Sequence, residues 1–264
     1  MAPPTPTIPS KPGHAVGREL AAFTLHLVFV AGLVAVVVRL GLRSWHQFVA
    51  LHAEDGAVET LTVVLFLFTA FLAHLVALQH RQAGSRALAW LHWVGALAFF
   101  FIGMEEMSWG QRLLLLETPE ALAAVNMQQE LNLHNLPLMH GVNQIRVCLV
   151  LGAFGVFSSA ALLLGRRVRG GQKRWGERLT FLEHFTVPVR YVPYFLALFV
   201  YIVLRRNDSA LLYELKDRRL IKELMEMLFA LGCYFVMFHR LRACHTRALE
   251  RALSRSPGPA PTSS

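Results

Sequence analysis

The chain has 264 residues, of which 55 % are hydrophobic and 16 % are charged, and its mean hydropathy is +0.43. A soluble globular protein carries roughly 25 % charged residues, so this composition indicates a chain whose solvent is largely lipid. It excludes a disordered chain, a collagen-like chain and a disulfide scaffold, since three scattered cysteines do not form a disulfide framework.

The net charge of +9 comes from 26 Lys and Arg against 17 Asp and Glu. Nucleic-acid-binding proteins cluster such residues on one polar face or along a helix. Here the basic residues flank long apolar runs, which is the pattern that sets the topology of membrane proteins. We therefore expect a lipid bilayer around the chain and no nucleic-acid partner.

Six apolar runs are candidates for membrane-spanning helices, since about 20 such residues cross a hydrocarbon core of about 30 Å. The first run is longer than the apolar core of a signal peptide, so we expect it to remain as an uncleaved helix. The predicted spans are 20–38, 57–78, 87–104, 145–164, 187–204 and 220–238. The predicted fold is all-α: a six-helix membrane domain over 18–253, with flexible tails at 1–17 and 254–264.

Three segments differ from a regular membrane-spanning helix. Thr118, Pro119 and Glu120 predict the start of a helix that runs to about Leu131 and lies in the membrane interface of the third loop. The prolines at 188 and 193 are expected to bend the start of the fifth span. The sixth span has only twelve uninterrupted apolar residues, 227–238, or about 18 Å, so crossing must include the acidic residues before them.

The orientation follows from the positive charges, which concentrate on the cytoplasmic side of membrane proteins. With both termini in the cytoplasm, the cytoplasmic segments hold 16 of the 26 basic residues and 4 of the 17 acidic residues. We therefore expect cytoplasmic termini, and the composition favours the inner membrane of a bacterium.

Because the spans alternate in direction, most acidic residues are predicted to meet at the outer end of the bundle. With His134, they make nine ionisable groups that open the second span, close the third, lie in the third loop and open the sixth: Glu54, Asp55, Glu59, Glu105, Glu106, Glu130, His134, Glu223 and Glu226. An ionisable group within a membrane indicates function by default, although any single one near a span's end also fits an interfacial anchor. Their shared location favours a site.

The first functional hypothesis is a metal-dependent hydrolase or transferase that acts on a lipid or a lipid-linked substrate. Carboxylates with a histidine suit a divalent metal ion that activates water or polarises a carbonyl or phosphoryl oxygen. The predicted metal ligands are Glu105, Glu106, Glu130, His134 and Glu223. The predicted catalytic residues are Ser108 and, as general base, Glu59 or Glu226. The residues predicted to bind substrate are Arg112, Arg146, Trp109, Gln111, Asn132 and Asn135.

Three pairs of these residues share a helix face by their spacing: Asp55 with Glu59, Glu105 with Ser108, and Glu223 with Glu226. Glu130 and His134, four apart, can share one if the loop is helical there. Without a metal, two carboxylates in unlike environments could divide the acid and base roles.

Two other classes of function fit the same residues. A proton- or cation-coupled transporter would use the carboxylates as a relay, although transporter sites usually lie near the midplane and often between repeats, and no repeat is visible. A non-catalytic subunit or assembly factor would use the outer loop, 111–144, to bind a membrane-protein partner. His26, His74 and His92, isolated within spans, are interpreted as packing residues.

Overall fold

In a computed structural model of the chain, residues 12–43, 56–138, 142–169, 182–206 and 218–255 are described, and this part consists of helices and turns without a strand. The predicted all-α class is therefore confirmed. The helices are α1 Pro12–Arg43, α2 Ala57–Gln82, α3 Arg86–Glu106, α4 Gln111–Leu114, α5 Glu120–Ala123, α6 Val142–Arg169, α7 Val192–Arg206 and α8 Arg218–Arg255, with 3₁₀ turns at Ser108–Gly110 and Val189–Tyr191.

Four helices of the described chain are long and apolar enough to cross a membrane, as judged by length and composition. They are Gly17–Arg39, Ala57–Gln82, Arg86–Glu106 and Ile145–Gly165, and they coincide with the first four predicted spans. The fifth prediction falls on α7, whose 15 residues cover only about 22 Å because a 3₁₀ turn after Pro188 replaces its expected start. The sixth falls within α8, which is long but more polar. The count of six stays a prediction.

The long helix α8 lies at the centre of the packing, against α2 and α7. Its buried residues recur every three or four positions, with Leu224, Leu228 and Val236 among them, so a continuous stripe of the helix faces its neighbours. Gly232 lets α7 approach this stripe closely: an added Cβ would lie 2.7 Å from the Cβ of Tyr194. The interface of α7 with α8 is therefore closely packed at this level.

The first helix is held mainly at one end and in its middle. Glu19 accepts hydrogen bonds from the Arg190 guanidinium, one of them 2.9 Å from Nε, and so pairs α1 with the turn before α7. Two helical turns further along α1, His26 Nδ1 lies 2.8 Å from the Tyr194 hydroxyl. The His26 ring packs edge-on against the ring of Tyr191. His26 is thus a hydrogen-bonded packing residue.

The helix predicted from Pro119 to Leu131 is wrong in its length, because α5 ends at Ala123 and turns follow it. The Asn126 side chain provides the reason: its Oδ1 accepts hydrogen bonds from the backbone N–H groups of Gln128 and Glu130, at 2.9 and 3.3 Å. These N–H groups are therefore not available for the backbone hydrogen bonds of an α-helix. Gln129 adopts a positive φ of 58°, which also ends helical geometry.

The helices at both ends extend into the segments predicted as flexible tails. Helix α1 begins at Pro12, inside the segment predicted as a flexible tail, and α8 runs to Arg255. The rest of both predicted tails lies outside the described residues, as do Glu54 and Asp55 of the predicted acidic group and the segments between α1 and α2 and between α7 and α8.

Candidate functional site

The chain reverses sharply after α3, and this turn forms the base of the candidate site. Ser108 and Trp109 have positive φ values of 47° and 56°, and Gly110 follows at 75°. Two successive non-glycine residues in this region are strained, typically by about 1–3 kcal/mol each, and such strain clusters at functional sites. The expectation that Glu105 and Ser108 share a helix face is wrong, because the helix ends at Glu106.

The carboxylate of Glu105 holds the third loop against this turn. Its Oε2 accepts hydrogen bonds from the backbone N–H groups of Leu133 and His134, at 2.6 and 2.9 Å. Its Oε1 accepts one from Trp109 Nε1 at 2.6 Å. The side chain is buried, with 5 % of its surface exposed. Three charge-assisted hydrogen bonds therefore occupy both oxygens, which assigns Glu105 to shaping the loop.

Ser108, Glu130 and Asn132 form a closed triangle of hydrogen bonds beneath the loop. The Ser108 hydroxyl donates to Glu130 Oε2 at 2.7 Å, and Asn132 Nδ2 donates at 2.9 Å to both of these oxygens. Ser108 and Asn132 are buried. A carboxylate that accepts a hydrogen bond from a serine hydroxyl is also placed to accept its proton.

Amide side chains complete the loop. Gln111 accepts a hydrogen bond from the Leu131 N–H at 2.7 Å and donates to the Thr118 hydroxyl at 2.7 Å. Asn135 donates to the Gln128 side chain. The expectation that Glu130 and His134 share a helix face is wrong, since side-chain hydrogen bonds replace a helix throughout this segment.

His134 is half-buried and lies beside the carboxylate of Glu105. Its Nδ1 is 3.6 Å from Glu105 Oε2 and has no hydrogen-bond partner within the described chain. Burial lowers the pKa of His134 below 6.5, and the charge of Lys222 lowers it further, although Glu105 and Glu130 oppose both effects. The ring is therefore neutral at pH 7, and the loop lies close enough to α8 for Lys222 to influence it.

Three further carboxylates meet next to the loop. Glu106 at the end of α3 and Glu223 and Glu226 at the start of α8 each place one oxygen within 4.8 Å of the others. Lys222 Nζ lies 3.2 Å from Glu226 and 3.6 Å from Glu223. Oε2 of Glu226 is buried and has no hydrogen-bond partner in the described structure. We call Glu106, Glu223 and Glu226 the carboxylate cluster.

The remaining predicted site residues are dispersed around these two groups. The charge of Glu59, at the start of α2, acts on both Glu106 and Glu223. The Trp109 ring packs edge-on against Phe101 with 5.5 Å between centroids. Arg146 is exposed on α6, and the Arg112 side chain lies outside what the structure describes. The predicted ligands thus divide between the loop, with Glu105, Glu130 and His134, and the carboxylate cluster.

A third group, of three histidines at the opposite end of the bundle, was not predicted from the sequence. His80 near the end of α2, His92 near the start of α3 and His184 before α7 place one ring nitrogen each within 4.8 Å of the others. Burial, with smaller effects of His80 and Arg240, lowers the pKa of His184 to about 4. The short turn between α2 and α3 is the sequence signal that brings the first two together; no sequence pattern places His184 beside them.

No protein-family model, no curated protein and no solved structure matches the chain.

Proposed function

We propose that this chain is a multi-pass membrane enzyme, a hydrolase or transferase that binds a divalent cation at the carboxylate cluster and acts on a lipid or lipid-linked substrate. The observation that carries the proposal is the convergence of Glu106, Glu223 and Glu226 from two helices to within 4.8 Å. The four long apolar helices support a membrane setting for it.

The charge balance of the cluster favours a cation. The three carboxylates lie beside the ammonium group of Lys222. The charge of Arg205 also acts on Glu226, and that of Glu59 acts on Glu106 and Glu223, so negative charge remains in excess around the cluster. Ionised groups in a medium of low dielectric are costly unless they are paired or coordinate a metal. Carboxylate oxygens suit hard ions such as Mg²⁺ and Mn²⁺. The buried, unpartnered Oε2 of Glu226 supplies a further lone pair for such an ion.

The surrounding residues can be assigned roles on this basis. A bound divalent ion would polarise a carbonyl or phosphoryl oxygen of the substrate. Glu59, whose charge acts on the cluster from α2, is assigned as general base. Ser108 with Glu130 forms a second group able to exchange a proton with substrate. Gln111, Asn132 and Asn135 are engaged within the loop, so we assign them to positioning it.

The substrate is proposed to reach the cluster from the outer leaflet. This placement follows from the charge distribution, which favours cytoplasmic termini and an inner-membrane location. Arg112, Arg146 and Trp109, near this end of the bundle, are assigned to the substrate's head group, because arginine pairs well with phosphate and carboxylate groups.

Cation binding is the first test, on protein purified in detergent and treated with a chelator. We expect Mn²⁺, followed by electron paramagnetic resonance, to saturate a site in the unchanged protein and in the Glu250→Gln control, whose residue is exposed on the same helix. Glu226→Gln and Glu106→Gln should each weaken binding at least about tenfold, or about 1.4 kcal/mol. Equal Mn²⁺ binding in all four proteins would remove the cation from the proposal.

Turnover is the second test, in vesicles of phosphatidylethanolamine and phosphatidylglycerol analysed by mass spectrometry. We expect Mn²⁺-dependent release of a head group or acyl chain that Glu226→Gln abolishes and Glu250→Gln preserves. A Mn²⁺ flux across the vesicle membrane without turnover would instead identify a transporter. Binding with neither outcome would favour a non-catalytic subunit.

A further inference from the structure

The three histidines at the other end of the bundle form a compact group. The rings of His80 and His92 stack with 5.1 Å between centroids, and His184 packs edge-on against both, at 4.8 and 5.9 Å. The distance from His92 to Glu106 along α3 is fourteen residues, or about 21 Å, so this group is separate from the carboxylate cluster.

The hydrogen bonding of His92 prepares it as a ligand. Its Nδ1 lies 2.8 Å from the backbone oxygen of Leu88, so this nitrogen carries the proton and donates it. The lone pair of Nε2 is therefore free, and Nε2 is buried without a hydrogen-bond partner in the described chain. Only 3 % of the residue's surface is exposed. A metal-ligating histidine typically has this arrangement, with its other ring nitrogen bonded to a carbonyl.

A cavity of about 270 Å³ adjoins the group, and His92 and His184 line it together with Arg240. The rest of its lining is almost entirely apolar, including Phe99, Phe195 and Phe229. An apolar cavity lined by two imidazoles gives a bound ion room for an exogenous ligand beside them.

We propose that His80, His92 and His184 bind a first-row transition-metal ion of the Zn²⁺ type, with an open coordination position facing this cavity. Neutral imidazole suits such ions, whereas Mg²⁺ and Ca²⁺ require oxygen ligands. Tetrahedral Zn–N bonds of about 2.0–2.1 Å place ligand nitrogens about 3.3 Å apart. The three ring nitrogens lie within 4.8 Å of one another, so they must move closer together when the ion binds.

Three neighbouring side chains define its surroundings: Arg240 and Arg247, whose charges act on His80 and His184, and Cys244. Arg240 Nη2 donates to the backbone oxygen of Thr186 at 3.0 Å, which directs part of its charge away from the histidines. Its positive charge favours an anionic group as the exogenous ligand in the cavity. Cys244 Sγ lies 3.7 Å from His80 Nε2 but does not belong to the group of mutually close ligand atoms. The three imidazoles are therefore the ligand set, with Cys244 beside it.

The test is metal binding by the full chain, purified without a polyhistidine tag. We expect one Zn²⁺ per chain, and a Co²⁺ form with visible d–d absorption. His92→Gln and His184→Gln should each lose this metal, while His74→Gln, which changes an exposed histidine on α2, should keep it. Loss of a direct ligand should exceed the roughly 10–100-fold effect of losing a residue that only hydrogen-bonds to a ligand.

Glu226→Gln should retain Zn²⁺, which separates this site from the carboxylate cluster. Metal retained in both histidine variants, or absent from the unchanged protein at micromolar Zn²⁺, would overturn the proposal. If the variants fail to fold, X-ray absorption of the unchanged Zn²⁺ protein still decides: imidazole scattering at about 2.0 Å is expected, and a shell of oxygen alone would contradict the site.

Discussion

Glu105 and His134 are joined through the backbone of the loop: Glu105 Oε2 accepts the His134 N–H at 2.9 Å and also lies 3.6 Å from the same residue's Nδ1. One carboxylate oxygen at the end of α3 thereby holds the main chain of a residue 29 positions later and lies beside its ring. The loop beside the carboxylate cluster depends on this contact for its position.

Replacing Glu105 with glutamine should release the loop. The amide has one acceptor oxygen, so the two backbone donors and Trp109 Nε1 cannot all be satisfied. Because the group is buried, we expect a loss of about 1–3 kcal/mol in the free energy of unfolding. Hydrogen exchange should show earlier deuteration of the Leu133 and His134 amides.

Glu117→Gln is the matched control, since this residue is exposed in the same connection. It should leave both the stability and the exchange of these amides unchanged. Unaltered protection of Leu133 and His134 in Glu105→Gln would show that other contacts hold the loop.

The pH dependence of stability should carry a contribution from His134. Burial and Lys222 lower its folded pKa below 6.5, so as the pH falls through that value the unfolded chain binds a proton before the folded chain does. Stability should therefore decrease with falling pH below about 6.5 and be unaffected by this residue above it. Comparing denaturation midpoints of the unchanged protein and His134→Asn from pH 8 to pH 5 measures this contribution.

In His134→Asn the decrease should be smaller, with the difference between the two proteins confined to the acidic side. A difference that is constant over the whole pH range would assign His134 a packing role with no change of protonation.

The contact of α7 with α8 should tolerate no added methyl group at Gly232. The new Cβ would lie 2.7 Å from the Tyr194 Cβ and 3.0 Å from the Phe195 ring, and the Tyr194 atom is fixed to the backbone. We expect Gly232→Ala to destabilise the protein by about 1–3 kcal/mol. Gly95→Ala, where no heavy atom lies within 4 Å, should leave stability equal or raise it by up to about 1 kcal/mol. Thermal denaturation in detergent compares them, and equal midpoints would contradict the close approach.

The proposed topology can be checked with reporter fusions. Alkaline phosphatase is active only outside the cytoplasm, so a fusion after Leu138 should be active and one after Arg255 inactive, as the concentration of basic residues near the C-terminus predicts. The reverse result would invert the orientation and move the carboxylate cluster to the cytoplasmic side.

The first four apolar helices were predictable to within a few residues because hydropathy is a property of the local sequence. The loop was not, since the Asn126 side chain takes up the backbone donors that a helix from Pro119 would use. The carboxylate cluster could be anticipated from the alternation of the spans, which brings the end of α3 and the start of α8 to one end. The histidine group could not: His92 resembled a packing residue until His80 and His184 were placed beside it.

The 38 residues of α8 form one uninterrupted helix of about 57 Å, nearly twice the thickness of a hydrocarbon core. Glu223 and Glu226 lie near one end, and an exposed, arginine-rich segment forms the other. Rigid helices transmit displacement along their length. Helix α8 therefore joins the arginine-rich end and the carboxylate cluster as one continuous element.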